Sequence, residues 1–238
     1  MYTYKWVARF VGALFLAAMA ASLVGGGLVE SSISAPDVLA AAAANKSQLT
    51  VGLLLELVNA LAVAAIGVLM LPILRLHSEN MAHGYLGFRL IEAVFCGAIV
   101  IGPLSLLILS QTDLQAGAMG AVGALAMAGR AGIVNLLIPV FFCMGAFLLY
   151  SAAYQARFVP RFISVWGLLA TALVLTLNLA SLFVELNLSV KLIFALPIIL
   201  NEIVMGIWLL AKGFSPLANA PVSAPADKFT LVGYGVNI

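Results

Sequence analysis

The chain has 238 residues, 64% hydrophobic and only 8% charged, with a formal net charge of +2 and a mean hydropathy of +1.18. Soluble domains carry about a quarter charged residues, so this composition excludes an ordinary soluble protein and describes an integral membrane one. At ~20 residues per crossing the length admits roughly five to seven membrane helices and no separate soluble domain, and the weak, scattered basic charge gives no surface for nucleic acid.

Lys5 and Arg9 ahead of an apolar run containing Ala18-Met19-Ala20 imitate a signal peptide. The run continues past that site to Val24, which predicts a retained first helix from about Trp6 to Leu28, with Gly25-Gly26-Gly27 near its end. Ser34-Ala35-Pro36-Asp37 then reads as a helix start, and Val38 to Ala44 as a short helix, ending near Asn45, that lies along the membrane surface. The second span covers about Leu49 to Leu74 and carries Glu56 and Asn59; a polar loop with Arg75, His77 and Glu79 follows. The third, about Ala82 to Ser110, carries Arg89 and Glu92.

From Gln115 to Tyr154 the sequence is continuously apolar. A single helix of that length would measure about 60 Å, roughly twice the hydrocarbon thickness. The cluster Gly129-Arg130-Ala131-Gly132 is the predicted break, leaving Gln115 to Ala128 as an interfacial or re-entrant helix and Ile133 to Tyr154 as the fourth span. The fifth runs from about Phe162 to Val184 and contains Asn178; the sixth, about Lys191 to Lys212, contains Asn201 and Glu202. Beyond Phe214, Pro216, Pro221 and Pro225 predict a flexible tail, whose Phe229-Thr230-Leu231-Val232 offers a strand to a protein partner.

These elements define an all-α fold: a polytopic bundle of six helices with two short surface helices in the outer connections. Residues 1–213 form the transmembrane domain and 214–238 a cytoplasmic tail. With the N-terminus inside, the inner side holds Lys5, Arg9, Arg75, Arg157, Arg161, Lys212 and Lys228, and the outer side Lys46, Arg130 and Lys191. This asymmetry predicts that both termini are cytoplasmic, with Trp6, Trp166 and Trp208 as anchors near the inner interface.

Several segments resemble a known family: Arg9 at the first helix, Phe88-Arg89-Leu90-Ile91-Glu92-Ala93 in the third, Gly145-Ala146-Phe147-Leu148-Leu149-Tyr150 leading to Phe158-Val159-Pro160-Arg161 and Gly167, and Glu202 followed by Trp208-Leu209-Leu210-Ala211-Lys212-Gly213. In order and spacing, from about Arg9 to Gly213, the chain is similar to the bacterial six-span membrane proteins grouped as domain of unknown function 4386. The resemblance implies a bacterial cytoplasmic membrane location and a six-helix domain, and no activity.

The chemistry must therefore come from the residues. Arg89 and Glu92, three apart, share a helical face, and an ionisable group inside a span is by default a candidate for function. Counting ~1.5 Å per residue places Arg89, Glu92 and Glu202 in one layer in the middle or inner half of the bilayer. Glu56, Asn59, Asn135 and Asn178 fall in a second, outer layer. Three carboxylates, Glu56, Glu92 and Glu202, then face Arg89 alone, an excess of two negative charges that a low-dielectric interior opposes unless protons, water or a cation reach them. The alternative is structural: Arg89 pairs with Glu92 or Glu202 to fix helix packing, and the asparagines bond between helices.

Cys96 and Cys143 lie mid-span as small packing residues, and His77 and His83 read as solvated loop residues rather than metal ligands. No span contains a histidine for haem or a deep lysine for a Schiff base, and no phosphate loop, zinc motif or nucleophile and base pair is present, so no cofactor or metal is expected. The expectation is a non-enzymatic membrane protein whose polar pocket binds or moves a small molecule, proton or lipid-like ligand, in contact with membrane lipid. The alternative is an accessory subunit of a larger complex, docked through the tail.

Overall fold

The computed structural model describes residues 2–35, 37–111 and 116–215. The predicted tail from residue 216 onward, including its docking strand, lies outside them. Nine helices are described: α1 Tyr2–Ile33, α2 Val38–Ala44, α3 Lys46–Arg75, α4 Glu79–Ala98, α5 Ile101–Leu109, α6 Ala116–Gly132, α7 Ile138–Ala156, α8 Arg161–Ala180 and α9 Leu188–Ala211, with a π-helical turn Ile133–Leu137 joining α6 to α7. Among the described residues, six segments are long and apolar enough to cross a membrane: Tyr4–Ile33, Lys46–Arg75, Glu79–Leu109, Ala121–Ala156, Arg161–Ala180 and Ser189–Ala211.

The spans close a ring. Helix α1 packs against α3 and α9, α3 against α4, α4 against α7, α7 against α8, and α8 against α9. In this order α4 and α9 stand opposite each other. Glycines set the closest crossings. A Cβ on Gly12 of α1 would lie 2.6 Å from the Gly206 carbonyl of α9, and one on Gly25 would lie 2.9 Å from Leu55 and 3.1 Å from the Gly52 carbonyl of α3. Lipid gives helices no hydrophobic reason to associate, so small residues that admit close backbones supply van der Waals packing instead. Gly25 therefore marks a crossing. The helix that was expected to end near the glycine triplet runs on to Ile33.

Two ends of the ring can be distinguished. One, the first end, carries the start of α1, the α3–α4 and α7–α8 loops and Lys212; the other carries α2, α5, the start of α6 and the α8–α9 loop. At the first end Arg157 adopts a left-handed φ of 55° and Gly213 a φ of 74°, each stopping a helix. The α7–α8 loop is pinned there: the Ser215 N–H donates to the Phe158 carbonyl at 2.9 Å, and Phe214 meets the Phe158 ring edge-on. Trp208 packs against the core, partly buried, with its indole nitrogen buried. At the second end Asp37 caps α2, accepting from the Leu39 and Ala40 N–H groups at 3.1 and 3.0 Å, as its position before an apolar run predicts.

The predicted break at Gly129–Gly132 is not a break. Helical backbone continues through it, and the disturbance falls just beyond, in the π-helical turn. Pro139 explains the displacement, because a residue without an N–H cannot complete the ladder to Asn135, and the Ile138 N–H reaches back five residues to the Ile133 carbonyl. Conversely, the third span does break, at Ile99 and Val100 between α4 and α5.

Candidate functional site

Two buried arginines organise the polar interior. Arg130, expected in an outer loop, is 4% exposed and sits at the end of α6. Its Nη1 and Nη2 donate to the two Glu56 oxygens at 2.9 and 2.5 Å, its Nε to Glu30 at 3.4 Å, and Nη1 also to the Ile99 carbonyl at 2.9 Å. That carbonyl is available because Pro103, four residues on, has no N–H to offer it. One guanidinium thus satisfies the bent third span and the Glu56 carboxylate together. The predicted charge imbalance is corrected accordingly: Glu56 has its own arginine and does not belong with Arg89.

Arg89, on α4, is equally buried. Nη1 donates to both Glu92 oxygens at 3.1 and 3.0 Å, and Nε donates to the Tyr85 hydroxyl at 3.0 Å. Its guanidinium carbon stands 5.7 Å from the Phe15 ring, 5.5 Å from Tyr85 and 5.7 Å from Phe142, within cation–π range of all three. Across the ring, Glu202 of α9 reaches Nη2 at 3.9 Å, an ion-pair separation too long for a hydrogen bond. Among the described residues, Glu202 accepts no hydrogen bond. Because α4 and α9 are opposite, this contact lies across the lumen and forms its floor.

Above the floor, toward the second end, is a cavity of about 270 Å³ to which all six spans contribute. Arg89, Glu92 and Glu202 supply its charged end; Ser22, Asn59 and Cys96 are its other polar side chains, and Phe142, Ile66 and Ile198 are among its apolar walls. One cation and two carboxylates give the cavity a formal excess of one negative charge. The sequence expectation that Arg89, Glu92 and Glu202 share a layer matches this placement, and Asn59 joins them.

The other predicted polar residues lie elsewhere. Asn178 and Asn135 line a second cavity of about 230 Å³ with Ser181 and Lys191, toward the second end of the ring. Each asparagine donates to the carbonyl four residues back in its own helical segment, at 2.8 Å, rather than between helices. Asn135 does accept from Lys191 of α9 at 3.4 Å. Val174 lines both cavities, so the two meet at that side chain. His77 shares a 3.1 Å hydrogen bond with Gln155, and Cys96 and Cys143 are free and buried.

Six apolar spans closed in a ring define a polytopic integral membrane protein. The family model for the domain of unknown function DUF4386 matches residues 10–213, and the chain belongs to that family. No curated protein and no solved structure matches it.

Proposed function

We propose that this protein binds a small cationic ligand, or a proton in its place, in the central cavity, with Glu202 as the receiving group. A single observation carries the reading: Glu202 faces the cavity without a hydrogen bond, while Arg89, the nearby cation, gives Nη1 to Glu92 and Nε to Tyr85 and brings Nη2 only to 3.9 Å. A partly buried carboxylate left this way gains from any donor that reaches it, and it gains most from a charged one. The cavity is near the lower end of ligand-site volumes, which suits a short amine with an apolar tail against Phe142 and Ile198. Nothing in this arrangement places a nucleophile beside a base, so the reading is non-enzymatic.

The site is reached from the bacterial cytoplasmic membrane, with the first end of the ring in the cytoplasm. Support comes from the described basic residues. Lys5, Arg9, Arg75, Arg157, Arg161 and Lys212 lie at that end, against Lys46 and Lys191 at the other, once the ion-paired Arg130 is withdrawn from the count.

Butylammonium and butyrate, matched in shape and opposite in charge, test the reading by thermal stabilisation of the detergent-solubilised protein. The ammonium stabilises the wild type and not the Glu202→Gln variant, and butyrate stabilises neither. Equal stabilisation of wild type and Glu202→Gln by the ammonium would overturn the assignment.

A further inference from the structure

A different set of buried groups leads away from Glu202 toward the first end of the ring. Among the described residues, five buried side-chain atoms have no hydrogen-bond partner: Tyr150 Oη, Ser164 Oγ, Thr171 Oγ1, Asn201 Oδ1 and Trp208 Nε1. All five belong to α7, α8 and α9. Buried polar groups are nearly always bonded, and where protein supplies no partner, internal water does.

Their positions form a line rather than a scatter. Ser164, Gly167 and Thr171 fall at i, i+3 and i+7, on one face of α8. The Tyr150 ring lies against Gly167, where a Cβ would sit 2.5 Å from the ring, so Tyr150 is set between the Ser164 and Thr171 turns. Asn201 donates to the carbonyl of Ile163, the residue before Ser164, at 2.9 Å, and Cys143 on α7 lies 3.7 Å from the Thr171 carbonyl. By helical rise, Thr171 stands about 15 Å from the first end of its helix, Tyr150 about 9 Å, and Ser164 and Trp208 about 5 Å, while the bond to Ile163 sets the Asn201 amide beside the Ser164 turn. Asn201 precedes Glu202 in α9, so the line begins at the level of the cavity floor.

We propose that this seam between α7, α8 and α9 is a hydrated proton path joining Glu202 to the first end of the ring. The proposal rests on the reading of Glu202 as the receiving carboxylate. The side chains divide by chemistry. Tyr150, Ser164 and Thr171 carry hydroxyls, which donate and accept and so relay; Asn201 Oδ1 only accepts and Trp208 Nε1 only donates, so these two orient water. A proton leaving the Glu202 carboxyl passes to the first water, each hydroxyl and water gives up one proton for each it takes, and one proton emerges at the far end. Only O–H bonds are made and broken. The titratable groups facing Glu202 are Arg89, Glu92 and Tyr85 from α4 and Tyr150 and Cys143 from α7; α1, α3 and α8 present Phe15, Met19, Asn59 and Val174.

The test uses the full chain reconstituted in vesicles of phosphatidylethanolamine and phosphatidylglycerol loaded with a pH-sensitive dye, with a potassium diffusion potential set by valinomycin. Wild-type vesicles acidify faster than empty ones. Tyr150→Phe keeps the ring on Gly167 and removes only the hydroxyl, so its flux falls on the order of tenfold or more while its butylammonium binding stays at the wild-type level. Ser164→Ala lowers the flux in the same direction. Flux in Tyr150→Phe equal to wild type overturns the path. So does a wild type that binds butylammonium and conducts no better than empty vesicles, an outcome that leaves the cavity reading standing. If Glu202→Gln binds butylammonium as the wild type does, both readings fall.

Discussion

Arg130 with Glu56 and Arg89 with Glu92 and Glu202 look alike as residues and differ in how fully they are satisfied. Arg130 spends its donors on one bidentate carboxylate, on Glu30 and on the Ile99 carbonyl; Glu56 is the buried partner, and Glu30, the second carboxylate, is exposed. Arg89 bonds Glu92 through Nη1 and Tyr85 through Nε, lies within cation–π range of three aromatic rings, and holds Glu202 only at 3.9 Å from Nη2. A buried charge is therefore no mark of function by itself. What separates the two sites is a carboxylate with unmet hydrogen-bonding capacity beside open space. The first arrangement holds the bent third span against α3 and α6; the second leaves Glu202 at the edge of a cavity without a hydrogen bond.

The largest effect is expected where the closed site is half removed. Arg130→Met leaves Glu56 buried and unpaired and the Ile99 carbonyl without a donor, and costs about 3–5 kcal/mol, measured by thermal or denaturant unfolding in detergent. The double variant Arg130→Met with Glu56→Leu recovers most of that loss, since an apolar pair of similar volume is often no worse than a buried ion pair. A double variant as unstable as the single one would show that the clasp is more than a satisfied charge pair. Smaller is the effect of Glu202→Gln on folding: with no hydrogen bond to lose, stability changes by about 1 kcal/mol or less, while ammonium binding is abolished. A stability loss as large as that of Arg130→Met would make Glu202 a structural partner of Arg89 and erase the contrast. Acidification gives a related check on ligand binding. A proton and an ammonium compete for the same carboxylate, so butylammonium affinity falls as pH is lowered, and an affinity that rises instead would contradict the assignment. The smallest effect belongs to Pro103→Ala, which restores a backbone N–H donor for the Ile99 carbonyl and lets the backbone share the work of Arg130. Its stability stays within about 1 kcal/mol of wild type, and its readout is a weaker penalty for Arg130→Met in the same background.

The spans were legible because each crossing needs about twenty apolar residues, a signal that no packing detail can obscure. Arg89, Glu92 and Glu202 were legible for the same reason, as charges inside those runs. Arg130 was not. Flanked by Gly129 and Gly132, it reads as a loop cation, although the absence of polar residues from Ala116 to Ala128 and the prolines at 103 and 139 held the better signal: both delete backbone donors, and the carbonyl opposite one of them needs a replacement. The Gly25–Gly27 triplet misleads in the same way, since glycine serves a helix crossing as readily as a helix end. The row of Tyr150, Ser164, Thr171, Asn201 and Trp208 has no sequence signature, because single hydroxyls and amides on three helices acquire meaning only once Gly167 brings Tyr150 down between them.

Infrared difference spectroscopy on the addition of butylammonium tests the central claim most directly, because it reads the carboxylate itself. The wild type is expected to show a shifted carboxylate band that vanishes in Glu202→Gln and persists in a folded variant with the Arg130–Glu56 pair replaced. A band unchanged by the ammonium in the wild type, or one that persists in Glu202→Gln, would contradict it.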